Sequence, residues 1–442
     1  MHIVSGTAAD WFLLSYFASA TYGYMNKYFV TANMRADASS RFGPNNKWGY
    51  FPSVSAGWIV SQEDFMKNAD WVSSLKLRAS WGQSGNQEIP DKAYESLYTQ
   101  VGGVVKLVRI ANPDIKWETT TQTNFGLDLS VLKNKLSFSA DYFIKKTDDI
   151  LLTIALPGII GSFSPSYINS GTVSNKGFEF GLNYQDHDHA FKYNINANIA
   201  TLTNRVDKLH TYVKSIINDA SHTKVEVGQP KDAYYGLLFE GIYQNTGEIA
   251  TQLFSNANGA QPGDIRFKDL NNDGQINADD RGYMGNPIPK TTYGFSFSAE
   301  YNRFDFSFLL QGVQGVDRYN DLKQILNYDS RPFNSMVSVL DSWHGEGTSN
   351  TTPRVTFNNN GGGNVSSVFV EDASYLRLKN IEIGYSFNTG KTGVKNLRLF
   401  VSGQNLLTST NYTGLDPEST SLIDKGTYPQ LKAFIVGAKI KL

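Results

Sequence analysis

Cysteine is absent from the chain. Disulfide frameworks, thiolate nucleophiles and cysteine-held metals are therefore excluded. Charge is scarce too. Asp, Glu, Lys and Arg make up 18% of the 442 residues, and the formal net charge is −1. That balance offers no basic field for nucleic acid and no acidic tail. No run approaches the roughly 18 to 20 apolar residues that a transmembrane helix needs. The opening segment, Met1–Asp10, lacks a basic stretch followed by an apolar one, so it does not read as a signal peptide. There is no HExxH, no GxSxG and no phosphate loop. No covalent chemistry is expected of the chain, and it does not read as an enzyme.

Aromatics are what the chain has in abundance, with 24 Tyr and 27 Phe. They sit in segments where apolar and polar residues alternate. In 136–145, Leu136, Phe138, Ala140, Tyr142 and Ile144 share one parity. Ser137, Ser139, Asp141 and Lys145 share the other, with Phe143 as the exception. Side chains on a strand point to alternate faces, so such a segment has one greasy face and one wet face. The mean hydropathy of −0.34 looks water-soluble, but alternation averages the two faces away.

The periodicity predicts about thirteen strands. They centre on residues 13–24, 28–37, 51–60, 73–83, 117–132, 135–149, 171–186, 190–206, 291–302, 303–314, 375–387, 395–407 and 430–442. Tight polar turns such as Met25-Asn26-Lys27, Lys133-Asn134, Asp186–His189 and Asn302-Arg303 join them in pairs. Long connections separate the pairs, at 38–47, 84–116, 150–170, 207–289, 315–374 and 409–429. A transmembrane β-barrel sorts its connections this way, with short turns on one side of the membrane and long loops on the other. The predicted fold is all-β: an antiparallel transmembrane β-barrel, present in part, with long extracellular loops. Apolar parity switches within 375–387, from Leu376 and Leu378 to Ile381 and Ile383, which predicts a bulge. A soluble β-sandwich with core-facing aromatics is the competing architecture, but it leaves the loop sorting unexplained.

An odd strand count, with the last strand ending in the periplasm, starts the first strand outside. The chain thus reads over 1–442 as the C-terminal part of a barrel, without its own signal peptide. An unpaired edge in lipid costs several kcal/mol per orphaned backbone group. This chain is not expected to close into a barrel by itself.

Several stretches resemble the C-terminal half of SusC/RagA-type TonB-dependent outer-membrane transporters. They are Arg35–Gly43 (RADASSRFG), Lys47–Trp58 (KWGYFPSVSAGW), Leu75–Asn86 (LKLRASWGQSGN), Asn112–Glu118 (NPDIKWE), Asn175–Glu179 (NKGFE) and Gly403–Leu406 (GQNL). The resemblance implies a plugged barrel of about 22 strands, with an N-terminal plug domain and TonB-contacting segment that 1–442 is expected to lack. It also implies TonB as energy source through an N-terminal region, and a SusD-like surface lipoprotein as partner. The cargo would be a glycan or a peptide, and the location the lipid of the outer membrane. The family closes on an aromatic residue, whereas this chain ends Ile440-Lys441-Leu442. Uptake of oligosaccharides is the leading reading. Import of peptides or metal chelates, and a soluble Ca²⁺-stabilised glycan-binding protein, are the alternatives.

One local motif points to a metal. Asp269, Asn271, Asp273, the Gln275 carbonyl and Asp280 occupy positions 1, 3, 5, 7 and 12 of a calcium loop, with Gly274 at the tight turn. The ion would be structural and would pin an extracellular loop. A solvated Asn/Asp/Gly turn has the same composition. His187 and His189 flank Asp188 in a polar turn, read as solvated. Asp128 and Asp141 read as channel lining rather than as an acid–base pair. Trp48, Tyr50, Trp117, Tyr167, Tyr235, Tyr243, Tyr319, Trp343 and Tyr412 could stack on sugars or pack within loops. Residues 334–343 could form a short amphipathic helix. Ligand-contacting residues are not legible at this level.

Overall fold

The computed structural model describes residues 10–154, 166–211, 213–249, 253–254, 259–328, 334–358, 360–388 and 395–441. The opening residues 1–9 and the final Leu442 lie outside them. The chain divides into two compact units. The first comprises Met1–Asn183 with Leu202–Lys214, and the second Tyr184–Thr201 with Ser215–Leu442.

The first unit carries long strands β1 (Leu13–Tyr24), β2 (Tyr28–Ser39), β3 (Trp48–Ile59), β4 (Val72–Asn86), β5 (Glu118–Val131), β6 (Leu136–Asp148) and β7 (Thr172–Asp186), each beside the next. The second carries β8 (Phe191–Thr201), β9 (Thr291–Tyr301), β10 (Phe304–Gln314), β11 (Tyr375–Asn388), β12 (Asn396–Thr410) and β13 (Ala433–Lys441), again each beside the next. The architecture is all-β, and the alternation placed each of these strands to within a few residues. The exception is the expected strand 190–206. It breaks at Leu202, and Thr203–Lys208 pairs antiparallel with the start of β7 across a register shift at Thr172/Val173. The parity switch in β11 is a register shift between Leu378 and Asn380, as the sequence implied.

Antiparallel register stacks like on like. In the first unit Tyr22, Val30, Ala56, Ala79, Phe125 and Tyr142 form one apolar cross-strand row. In the second, Phe306, Ile383, Val401 and Val436 do the same. These faces are open. Phe125 is 56% exposed and Val436 82%. A continuous apolar stripe of this kind is costly in water and is what a lipid-facing wall presents. Among the described residues, no helix is long and apolar enough to cross a membrane.

The long connections are folded. In the first unit Phe42, Phe51, Ile89, Ala93, Ile115 and Trp117 form a buried cluster. Trp117 packs 5.1 Å from Phe42 and 5.4 Å from Phe51, ring to ring, and donates from Nε1 to the Lys47 carbonyl at 3.0 Å. The cluster draws on three of the sequence motifs at once. Phe42 comes from RADASSRFG, Phe51 from KWGYFPSVSAGW, and Ile115 and Trp117 from NPDIKWE. Gly85 of LKLRASWGQSGN lies so close that a Cβ there would overlap the Phe51 ring, standing 2.6 Å from Cε1 and closer still to Cζ. In the second unit a larger core gathers Tyr234, Ile265, Phe267, Tyr319 and Phe369. The segment expected to be a helix within 334–343 is a 3-10 turn, Val337–Asp341, with Val337 and Leu340 exposed.

Candidate functional site

The polar face of the first unit is built by the same register that builds its greasy face. One cross-strand row reads Ser19, Asn33, Ser53, Gly82, Gln122 and Lys145. The row beside it reads Thr21, Thr31, Ser55, Ser80, Asn124 and Phe143. Hydroxyls and carboxamides knit the two. Asn33 Nδ2 donates to Ser53 Oγ at 3.2 Å, Asn124 Nδ2 to Ser80 Oγ at 3.2 Å, and Gln122 Nε2 to Asn124 Oδ1 at 3.0 Å. A concavity of about 330 Å³ opens on this tract. Such groups both donate and accept, so they can exchange hydrogen bonds with a polyhydroxylated ligand without carrying charge themselves.

One step along the strands, the next row holds Arg78, Gly126 and Asp141. Arg78 donates to Asp128 from Nε at 2.7 Å and Nη2 at 2.9 Å, and to Asp141 from Nη1 at 3.0 Å and Nη2 at 2.9 Å. Asp128 and Asp141 do sit on the polar face, as the alternation implied. Their oxygens are committed to one guanidinium, so they line the wall as an ion-paired trio rather than as free carboxylates. The second unit repeats the device. Arg398 donates to Asp305 at 2.9 Å and to Glu382 at 2.6 Å across Gly384. Sequence reading missed both arginines. The available signal was a glycine on the wet parity of a strand, leaving room for a long side chain from the neighbour.

The loop aromatics divide. Trp117, Tyr243, Tyr319 and Tyr412 are buried in loop cores and cannot meet a ligand. Trp48 and Tyr50 are exposed on β3, Trp48 stacked on Tyr16 at 6.1 Å. Tyr167 packs against the first cluster. Trp343 donates to Gln244 at 3.1 Å. Tyr235 stands edge-on to Tyr283 at 5.6 Å, with the Lys224 ammonium 4.6 Å over its ring. A cavity of about 740 Å³ opens beside Phe239, Tyr328, Met336 and Val368 in the same unit. His189 Nδ1 lies 3.2 Å from Asp186 in a polar turn.

In the motif Asp269–Asp280, the turn is as tight as its composition implies, with Asn272 at φ 58° and Gly274 at φ 78°. Asp269 accepts from the Asn272 and Gly274 amides at 2.7 and 2.8 Å. Asn271 Oδ1 accepts from Asp273 N at 3.0 Å, and Asp273 Oδ1 from Gln275 N at 2.8 Å. Asp280 is fully buried, accepting from Leu270 N at 2.9 Å and Asn277 N at 2.8 Å. Its carboxylate closes a capping box with Asn277. Among the described residues, no three acidic or histidine side chains converge as a metal-binding group.

A strand wall with one greasy face, one wet face and folded long connections matches a known family. The model of the TonB dependent receptor-like β-barrel covers residues 5–406. The chain belongs to the TonB-dependent receptor β-barrel family. It is 33% identical over 461 residues to TonB-dependent receptor P3 of Formosa agariphila, across 97% of this chain and 45% of that protein. It is 32% identical over 460 residues to TonB-dependent receptor SusC of Bacteroides thetaiotaomicron, across 97% of this chain and 44% of that protein. A solved structure of the RagAB peptide transporter superposes with a TM-score of 0.84 at 25% identity, covering 97% of this chain and 47% of that one. The chain spans about half the length of these relatives. The SusC/RagA likeness read from the motifs therefore stands, and the family is one of outer-membrane β-barrel receptors, not enzymes.

Proposed function

We propose that the strands of this chain form part of the wall of an outer-membrane importer, and that its cargo is a bulky polar ligand, an oligosaccharide first among candidates. The observation that carries this reading is the pair of amide- and hydroxyl-rich rows from Ser19 to Lys145 and from Thr21 to Phe143, in which Lys145 is the one charged side chain. They offer exchangeable hydrogen bonds along a path rather than one deep, fixed pocket. TonB would energise the full-length receptor. A SusD-like surface lipoprotein would present the ligand at the loops, where exposed Val337 and Leu340 suit a protein contact. Likeness to a peptide transporter supports a second reading, with short peptides as cargo. Deleting the full-length gene and growing cells on defined oligosaccharides or on peptides as sole nutrient tests both. Loss of growth on saccharides alone is expected. Loss on peptides alone would replace the first reading with the second.

We also propose the Asp269–Asp280 loop as a structural Ca²⁺ site. Its support is the ligand spacing and the sharp turn at Gly274. Calorimetric titration of Ca²⁺ into the full-length receptor tests it, and absence of heat beyond dilution would rule it out.

A further inference from the structure

The wet face of the first unit is nearly free of unpaired charge at the concavity, with one exception. Lys145 ends the row Asn33, Ser53, Gly82, Gln122 and lines the cavity of about 330 Å³ together with Ser80 and Asn124. No carboxylate lines that cavity. Among the described residues, Lys145 has no ion-pair partner, although its neighbours Lys116 and Lys146 pair with Asp149 and Asp148. The nearest acid on its own strand and face is Asp141, four residues away. That is about 13 Å along a strand. Arg78 already occupies both oxygens of that carboxylate.

An exposed ammonium on a neutral, hydrogen-bonding wall creates a positive spot in a concave site, where field is focused. A neutral sugar can accept a hydrogen bond from it but gains no charge–charge attraction. A sugar bearing a carboxylate or a sulfate ester gains a charge-assisted hydrogen bond, while its hydroxyls engage Asn33, Ser53, Ser80, Gln122 and Asn124. We propose that this concavity is an acidic-sugar subsite, with Lys145 holding the anionic substituent of an oligosaccharide. The inference rests on the oligosaccharide reading above and narrows its substrate class.

The test uses the full-length receptor purified in detergent and titrated calorimetrically with saccharides of matched length. A uronate-containing oligomer and a sulfated oligomer are the acidic probes, and a neutral glucan is the control. Acidic probes are expected to bind more tightly, with an affinity that falls as salt rises. Lys145→Gln should weaken the acidic probes roughly tenfold, the equivalent of about 1.4 kcal/mol. The same change should weaken the neutral glucan far less, and Lys145→Arg should retain most acidic binding. Comparing uronate with sulfate shows which substituent the site takes. Heat-modifiable gel migration confirms that each variant is folded. Equal effects of Lys145→Gln on neutral and acidic probes, or none on either, would overturn the subsite. Binding of the neutral glucan but of neither acidic probe would overturn it while leaving the oligosaccharide reading intact. Binding of short peptides and no saccharide would remove both.

Discussion

Gly126 lies directly beneath the guanidinium of Arg78. A Cβ at Gly126 would stand 2.7 Å from Arg78 Cζ, inside any real contact distance. The glycine is what allows Arg78, from the strand on one side, to reach Asp141 on the other. Gly384 stands in the same relation to Arg398, with a hypothetical Cβ 2.5 Å from Nη2. Gly126→Val should therefore expel the guanidinium from between its two carboxylates. Overpacking of this kind costs about 1–3 kcal/mol. Unfolding of the full-length receptor in denaturant should show that loss, and an unchanged midpoint would refute the account.

The cluster of Phe42, Phe51, Ile115 and Trp117 ties two connections, the one after β2 and the one before β5, to β3. Truncating a buried aromatic costs about 3–5 kcal/mol. Phe51→Ala and Trp117→Ala should each lower stability by that order. Because the two rings touch, their effects should fall short of additive. A double-mutant cycle on the full-length receptor measures the shortfall, and strict additivity would argue against a shared core.

Glu63 sits in the short connection between β3 and β4. The Tyr28 hydroxyl at 2.5 Å, Trp58 Nε1 at 3.0 Å and Lys27 Nζ at 3.1 Å all donate to it. The Tyr28 hydroxyl first, then Trp58 and Lys27, hold its carboxyl well down, at about 2 against an ordinary 4.5. A depressed folded-state pKa contributes stability above the unfolded value and loses it as pH falls through the folded one. The stability gap between wild type and Glu63→Gln should thus be level above about pH 5 and shrink between about pH 4.5 and 2. Melting curves across that range test it. A gap that widened on acidification would contradict the hydrogen-bond geometry.

Asp280 is buried with both oxygens on main-chain amides, at Leu270 and Asn277. Asp280→Ala should cost about 1–2 kcal/mol even in chelator, because it removes a cap and orphans two donors. Asp273 is more exposed and caps only its own turn and Asn271. Asp273→Ala should matter in Ca²⁺ and little in chelator if the proposed ion is bound. Thermal melts of the full-length receptor and both variants, with Ca²⁺ and with chelator, separate the two roles. Were Asp273→Ala silent in both, the calcium proposal would fail.

The strands were legible because their information is local. Phe138, Ala140 and Tyr142 alternate with Ser139 and Asp141, and that suffices to fix a face. The bulge at Leu378 and Asn380 was legible for the same reason, as a slip in parity. The break at Leu202 was not, since the same slip of apolar parity there, from Ile199 to Leu202 and Val206, reads equally as a bulge, and only pairing with β7 shows a break. Nor was the folding of the long connections. Tyr243 and Tyr319 look like available rings in sequence, yet both are fully buried. Their partners lie in separate connections, and no local pattern announces them.

The sequence by itself determined how many long strands there are, which face of each is wet, and which connections are short. Period-2 alternation and turn chemistry act over a few neighbouring residues, so they survive without a third dimension. The tertiary structure decided which wet residues meet. Arg78 finds Asp128 and Asp141 from 50 and 63 positions away. The motifs carrying Phe42, Phe51 and Trp117 become one core, and Lys145 is left alone on a neutral wall. Each of these outcomes depends on cross-strand register. A shift of one residue would send every one of those side chains to the other face.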